Sequence, residues 1–139
     1  MKTYFVLALL IACLVSAAEA AEFKIVVHAD NPVQSMSVDE VAAMMLKTTT
    51  TWAGGTAIVP VDQADKAPVR QAFSQTVLRR KTMAVRSYWR QRLFAGVSVP
   101  PLELDSDAEV LAYVRRNRGA IGYVSENAPN TGVRVVILR

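Results

Sequence analysis

Apolar residues follow two different spacings along this chain, and the two spacings alternate. Short runs of consecutive apolar residues predict strands at 23–28, 57–61, 120–124 and 133–138. Apolar residues three and four positions apart predict helices that begin near residues 38, 68, 82 and 107. The predicted order is therefore βαβαααββ. Helices that alternate with short apolar strands predict an α/β fold, and the unbroken run at 25–27 predicts a strand covered on both faces.

Helix start signals support these positions. The segments Ser37–Glu40 and Ser106–Glu109 both have the capping-box pattern, in which a serine precedes a glutamate by three positions. Pro68 is a favourable first helical residue. Gly119 is expected to end the last helix as its C′ residue. These signals predict three helix starts and one helix end.

The third helix is predicted to run from 82 to 94. Its spacing places four residues on an inner face: Val85, Tyr88, Trp89 and Leu93. Tyr123, in a predicted strand, is expected to pack with its hydroxyl at an edge of the sheet. His28, at the end of the first strand, is expected to make a structural hydrogen bond.

The first twenty residues have the order of a secretory signal peptide. Lys2 precedes an apolar run at 5–15, and Ala18-Glu19-Ala20 is a small-x-small cleavage site. We expect cleavage after Ala20, leaving a periplasmic or secreted domain over 21–139. The run is shorter than the roughly 20 residues that a membrane span needs. The alternative is lipid attachment at Cys13, because 10–13 also fits a lipoprotein cleavage site.

Composition limits the chemistry of this mature chain. It would contain 119 of the 139 residues, which suits one domain. Cys13 is the only cysteine and would be removed with the leader, while His28 is the only histidine. These counts argue against disulfides, cysteine zinc sites and a Ser/His/Asp triad. We expect a protein that is not an enzyme and that needs no metal or other cofactor.

Positive charge is concentrated in one part of the sequence. The net charge is +4, and neither Asp nor Glu occurs between Asp65 and Glu103. That interval holds eight cations, namely Lys66, Arg70, Arg79, Arg80, Lys81, Arg86, Arg90 and Arg92. Such a block attracts anions or an acidic partner, although a solvated helical face has the same composition. Export and the lack of interleaved aromatic residues argue against nucleic acid.

Several local motifs occur in an order that can be compared with known protein families. They are Asn31-Pro32-Val33, 37–41, Trp52-Ala53-Gly54-Gly55, 58–62, 68–73, Tyr88-Trp89, Phe94-Ala95-Gly96, Pro100-Pro101 and Gly119-Ala120-Ile121-Gly122-Tyr123-Val124. Together they resemble the small phosphate ABC transporter substrate-binding-protein-like domains of the type 2 periplasmic binding protein superfamily. The resemblance implies a single lobe with a central, mostly parallel sheet flanked by helices. It also implies a non-enzymatic binding role in the periplasm, with phosphate or another small anion as ligand.

The resemblance also indicates where an anion would bind. In two-lobed members of that superfamily, an arginine ends a strand and a Ser-Gly-Thr turn opens the next helix. Here Asp62 takes the place of the arginine, and Lys66-Ala67-Pro68 takes the place of the turn. The candidate ligand-binding residues are Asp62, Lys66, Ala67, Arg70 and Trp52. Without a second lobe, we expect anion affinity no tighter than roughly the micromolar-to-millimolar range.

Four of the five candidates also have a structural interpretation. Lys66 and Arg70 would then be solvent-exposed charges, Asp62 would cap a turn or pair with a nearby cation, and Trp52 would be half-buried packing. A second functional hypothesis follows from the charge block. In it the protein is an envelope adaptor that binds a protein partner through a basic helical surface around 79–92, with no small-molecule ligand.

Overall fold

A mixed sheet forms the centre of the computed structural model, which describes residues 22–139. Within these residues the strands are β1 (Phe23–His28), β2 (Ser35–Met36), β3 (Val59–Gln63), β4 (Leu102–Leu104), β5 (Ala120–Ser125) and β6 (Val133–Leu138). Their order in the sheet is β2-β6-β1-β5-β3-β4. The predicted leader and Cys13 lie outside the described residues.

Strand directions confirm the predicted mostly parallel sheet. β1 pairs antiparallel with both β5 and β6, whereas β3 pairs parallel with β4 and β5, and β2 pairs parallel with β6. β1 therefore runs against the other described strands, which share one direction. The carboxyl ends of β3, β4 and β5 consequently meet at one edge, which is where open α/β sheets bind their ligands.

Helices cover both faces of the sheet. They are α1 (Val38–Met45), α2 (Pro68–Phe73), α3 (Thr82–Phe94) and α4 (Asp107–Arg116), and a π-helical segment, Ser74–Leu78, continues α2. α4 packs on one face, where Val110 and Val114 belong to a core cluster with Val26 and Val61. α1, α2 and the π-helical segment cover the other face, with Phe73 and Tyr123 at its centre. α3 packs outside this layer.

The predicted helix starts are observed with one difference. The Ser37 hydroxyl accepts the amide of Glu40, and the Glu40 carboxylate accepts the amide of Ser37, so the first capping box is complete. At α4, Ser106 accepts from the amide of Glu109, but the Glu109 carboxylate accepts from Asp105 one residue earlier. The second box is therefore shifted by one residue on its glutamate side.

Two short strands were not predicted from the sequence, and a third lies two residues later in the chain than predicted. β2 and β4 have two and three residues, too few to show a periodic pattern. The strand predicted at 57–61 lies at 59–63 instead, because Asp62 and Gln63 are buried and hydrogen-bonded inside the fold. Its pairing with β5 stops at Pro60, where the missing N–H ends the ladder.

Three expectations about individual residues were wrong. Leu93 is 56% exposed, because it lies past the part of α3 that packs on the core, whereas Trp89 is buried as predicted. Tyr123 is completely buried and its hydroxyl lies inside the fold. Gly119 is not the C′ residue of α4, since the helix cap is Asn117. Instead a Cβ at Gly119 would overlap the carbonyl oxygen of Ala57, so this glycine permits a close backbone approach.

Candidate functional site

A buried ion pair lies at the carboxyl end of β3. Asp62 is the fourth residue of β3, and Arg70 is in the first turn of α2, so the short loop between them brings the two side chains together. Arg70 Nη1 lies 3.1 Å from Asp62 Oδ2, and the side chains are 3% and 6% exposed. Arg70 Nη1 also donates to the Gln63 carbonyl at 2.6 Å. This confirms the structural interpretation of Asp62 as the partner of a nearby cation.

Tyr123 completes the polar centre from the neighbouring strand. Its hydroxyl donates to Asp62 Oδ1 and accepts from the Gln63 amide at 3.2 Å. Its ring stacks on Phe73 with centroids 3.9 Å apart and planes 4° from parallel. The same tyrosine therefore belongs to the apolar core through its ring and to the ion pair through its hydroxyl.

Burial governs the protonation of this centre. Burial raises the pKa of the Asp62 carboxyl above its ordinary value, while Arg70 and the Tyr123 hydroxyl act in the opposite direction. Burial and the adjacent Asp62 carboxylate raise the pKa of the Tyr123 phenol well above its ordinary value. Tyr123 therefore stays protonated at neutral pH and can keep donating to Asp62.

Two further carboxylates surround Arg70. Arg70 Nη2 lies 3.5 Å from Asp65 Oδ1, and Arg70 Nη1 lies 3.4 Å from Glu103 Oε1. Asp65 also pairs with Arg86 of α3. Arg70 thus meets carboxylates from β3, from the following loop and from β4, and its positive charge is largely compensated within the protein.

A neighbouring network joins the ends of three elements. Gln63 Nε2 donates to Asp107 Oδ1 at 2.8 Å and to the Tyr123 carbonyl at 3.0 Å. Asp107 Oδ1 also accepts the amide of Ser125 at 3.1 Å. Asp107 lies in the first turn of α4, as predicted, but it additionally holds β3 and β5 together.

An open cavity of about 290 Å³ lies between this polar centre and α3. Its charged lining is Asp62, Asp65, Arg70, Arg86, Arg90 and Glu103. Its apolar lining is Trp89, Leu93, Pro100 and Pro101. The volume is at the lower end of the roughly 300–1,000 Å³ typical of small-molecule sites. We call it the α3 cavity.

The structure brings together only part of the predicted site. Asp62 and Arg70 line the α3 cavity, whereas Lys66, Ala67 and Trp52 do not. Lys66 is exposed. Ala67 is the N-cap residue of α2, where it makes no side-chain cap and its amide donates to the Ala64 carbonyl. The helix has only six residues, so its dipole offers little to an anion.

Trp52 lies in a different part of the fold. It is half-buried, and its indole Nε1 donates to the Gly119 carbonyl at 3.0 Å. It lines a second cavity of about 180 Å³ together with Asp30, Asn31 and Arg118, among others. The observed contacts agree with the structural interpretation of Trp52 as packing.

Sequence reasoning missed most of the cavity wall. Arg86 and Arg90 stand four residues apart on α3, a spacing that places them on one helix face, so this part was visible in the sequence. Pro100, Pro101 and Glu103 come from a loop and a three-residue strand that no periodicity marks. The described residues contain no group of three or more His, Cys, Asp or Glu side chains arranged to hold a metal ion.

Comparisons with known proteins find similarity in structure. No protein-family model and no curated protein matches this sequence. The fold is similar to a protein of Clostridium perfringens named as a phosphate ABC transporter substrate-binding protein and solved with bound phosphate. The TM-score is 0.68 and the identity 23%, over 85% of this chain and 45% of that one.

Two other solved structures give the same result. An ABC-type phosphate transport receptor from Vibrio cholerae has a TM-score of 0.68 and 18% identity, over 85% of this chain and 46% of that one. PstS from Borrelia burgdorferi has a TM-score of 0.67 and 11% identity, over 86% and 47% of the two chains. This chain spans a little under half the length of these proteins. The predicted fold is thereby confirmed: the chain has the α/β fold of one lobe of a type 2 periplasmic binding protein.

Proposed function

We propose that this protein is an exported, non-enzymatic binding domain that holds a small anion in the α3 cavity. One observation carries the proposal: three guanidinium groups, those of Arg70, Arg86 and Arg90, line a cavity at the carboxyl ends of parallel strands. Guanidinium groups are well suited to binding carboxylates and phosphates. Structural neighbours that are named for phosphate transport support a binding role with an anionic ligand.

The charges around the cavity favour weak binding of inorganic phosphate. Asp62, Asp65 and Glu103 line the same space as the three arginines, so a divalent anion entering it meets three carboxylates. The cavity is open to solvent, and the high dielectric of water weakens each charge contact there. The sequence analysis placed only the Asp62 carboxylate in the candidate site, and the structure adds those of Asp65 and Glu103. The predicted micromolar-to-millimolar range for phosphate is retained.

Calorimetric titration of the mature domain with phosphate, sulfate and small organic acids tests this function. Binding of one or more anions that Arg90→Gln weakens about tenfold supports the proposal. Lys66→Ala is the matched control, because Lys66 is an exposed cation outside the cavity. Equal effects of the two variants would point to non-specific attraction of anions, and no binding of any anion at millimolar concentration would contradict the proposal.

Export is part of the same proposal. Its support is the Lys2, apolar run and Ala-x-Ala order of the leader, together with the fold of a periplasmic binding protein lobe. Among residues 22–139, no helix is long and apolar enough to cross a membrane. Mass spectrometry of the protein from its native host should find an N-terminus at Ala21. A lipidated N-terminus at Cys13 would instead show that the protein is anchored through a lipid.

A second candidate function rests on a different surface. At the end of α3, four large apolar side chains are exposed: Leu93 (56%), Phe94 (95%), Val97 (64%) and Val99 (55%). We call these residues the apolar tip. Hydrogen bonds from Gly96 to the Leu93 carbonyl and from Val97 to the Arg92 carbonyl hold the turn in a fixed shape. A preformed apolar surface of this kind is typical of protein interfaces.

The charge along α3 indicates what kind of partner would fit. Arg90 is exposed within one turn of the apolar tip, exposed Arg79 and Lys81 lie at the opposite end of the helix, and the sequence from 66 to 102 has no acidic residue. The complementary partner is therefore an envelope protein with acidic residues on one side of an apolar centre. A photo-crosslinker at position 94 should capture one such protein, and the purified pair should bind in a salt-dependent way that Phe94→Ser abolishes. Equal capture from a crosslinker at exposed Gln75 would contradict this candidate.

A further inference from the structure

We propose that the ligand of the α3 cavity is a monocarboxylate attached to an apolar body, either a free organic acid or the C-terminal residue of a peptide. The inference rests on the proposed anion-binding function and names its ligand class. It follows from two features of the cavity wall: its charge balance and its apolar part.

The charge balance leaves room for one negative charge. Arg70 lies within 3.5 Å of carboxylate oxygens from Asp62, Asp65 and Glu103. Arg86 shares Asp65. Arg90 is exposed and has no ion-pair partner within the described part of the chain. A monoanion can pair with Arg90 without bringing a second charge towards the carboxylates, whereas phosphate carries up to two charges at neutral pH.

The apolar part of the wall matches an uncharged body on the ligand. Trp89 and Leu93 of α3 and Pro100 and Pro101 of the following loop line the cavity. Leu93 is 56% exposed, so a bound apolar group would remove its side chain from water. The volume of about 290 Å³ is also far larger than an inorganic phosphate ion needs. Without an apolar body, much of this space would stay filled with water against apolar side chains.

Titrations of the mature domain with three probes test the ligand class. Hexanoate has the proposed chemistry, hexanamide keeps the body but lacks the charge, and inorganic phosphate has the charge without the body. We expect hexanoate to bind at least about tenfold more tightly than either of the others. Tighter binding of phosphate than of hexanoate would overturn this inference and leave the anion-binding function standing. No binding of any probe would overturn both.

Two pairs of variants locate the binding. Arg90→Gln should weaken hexanoate about tenfold, whereas Arg92→Gln on the same helix should not, because Arg92 stacks on Tyr88 outside the cavity. Leu93→Ser should weaken hexanoate, whereas Phe94→Ser should not, because only Leu93 lines the cavity. Arg90, Leu93 and Phe94 are exposed and Arg92 is half-buried, so melting temperatures close to that of the unaltered protein should show all four variants folded. Equal effects within either pair would overturn the assignment.

A further titration, with a peptide, distinguishes the two sources of the carboxylate. A short peptide that ends in leucine is compared with its C-terminally amidated form and with hexanoate. Tighter binding of the free peptide than of hexanoate, lost on amidation, assigns the site to a chain terminus. Tighter binding of hexanoate than of the free peptide assigns the site to a free organic acid.

Discussion

Arg70 Nη1 lies 3.1 Å from Asp62 Oδ2, and both side chains are almost completely buried, at 3% and 6% exposure. The pair joins the end of β3 to the first turn of α2 and forms one wall of the α3 cavity. Removing two charges from water is costly, and further hydrogen bonds offset part of this cost: the Tyr123 hydroxyl donates to Asp62, and the Gln63 carbonyl accepts from Arg70. The buried pair therefore fixes the position of one wall of the α3 cavity.

Breaking this pair on one side should strongly destabilise the fold. Arg70→Met leaves Asp62 buried without its cation, and we expect a loss of about 3–5 kcal/mol of unfolding free energy. Arg90→Met is the control, since Arg90 is exposed, and its effect should stay within about 0.5 kcal/mol. Chemical denaturation of both variants measures this. Equal midpoints for the two would mean that the buried pair contributes nothing.

Removing the Tyr123 hydroxyl should have a smaller cost. Tyr123→Phe keeps the ring stacked on Phe73 but takes a donor from Asp62 and an acceptor from the Gln63 amide. Leaving buried polar groups unsatisfied costs about 1–3 kcal/mol. The measurement is the unfolding free energy near neutral pH, and a Tyr113→Phe variant, at a half-buried position on α4, is the control. Indistinguishable stabilities would contradict the hydrogen-bond assignment.

The same tyrosine should control stability in alkaline solution. Its pKa is raised by burial and by Asp62, so its contribution is fully present below the unfolded phenol pKa of about 10 and is lost as the pH rises towards the folded value. The stability of the unaltered protein relative to Tyr123→Phe should therefore fall above about pH 10. Denaturation at a series of alkaline pH values tests this. A difference that stays constant would show that Tyr123 ionises equally in both states.

Two neighbours on α3 should respond very differently to truncation. The sequence placed Trp89 and Leu93 on one inner face, but Trp89 is 6% exposed and Leu93 is 56% exposed. Trp89→Ala should cost about 3–5 kcal/mol, whereas Leu93→Ala should change stability by no more than about 0.5 kcal/mol. Thermal and chemical denaturation of the single variants separate the two. A large loss from Leu93→Ala would place it back in the core.

Two glycines are required by close packing. A Cβ at Gly122 would lie 2.8 Å from Val61 Cγ2 and 2.9 Å from Val110 Cγ1, and one at Gly119 would overlap the Ala57 carbonyl oxygen. Gly122→Ala should cost about 1–3 kcal/mol because it overpacks the interface of the sheet with α4. Gly119→Ala should cost at least as much, since backbone cannot rotate away. Gly54→Ala, in open space, should be nearly neutral, and a similar loss there would contradict this.

Local signals were sufficient to predict most of the fold but little of the site. The Ser37 capping box, Pro68 and the apolar run at 25–27 each act within a few residues, and the structure contains the elements that they predict. The α3 cavity depends on contacts across long sequence separations, such as Arg70 with Glu103. The sequence shows that Arg70 is a cation but does not show whether it is buried. It therefore could not predict the three carboxylates that surround Arg70 in the structure.

The two tryptophans of this chain offer the most direct test of the proposed site. Trp89 lines the α3 cavity, and Trp52 lies against Gly119 elsewhere in the fold. In a nitrogen-15 NMR titration with hexanoate, the indole resonance of Trp89 should shift saturably while that of Trp52 stays in place. Saturable shifts of Trp52 alone, or no shift of either indole at millimolar hexanoate, would contradict a carboxylate site in the α3 cavity.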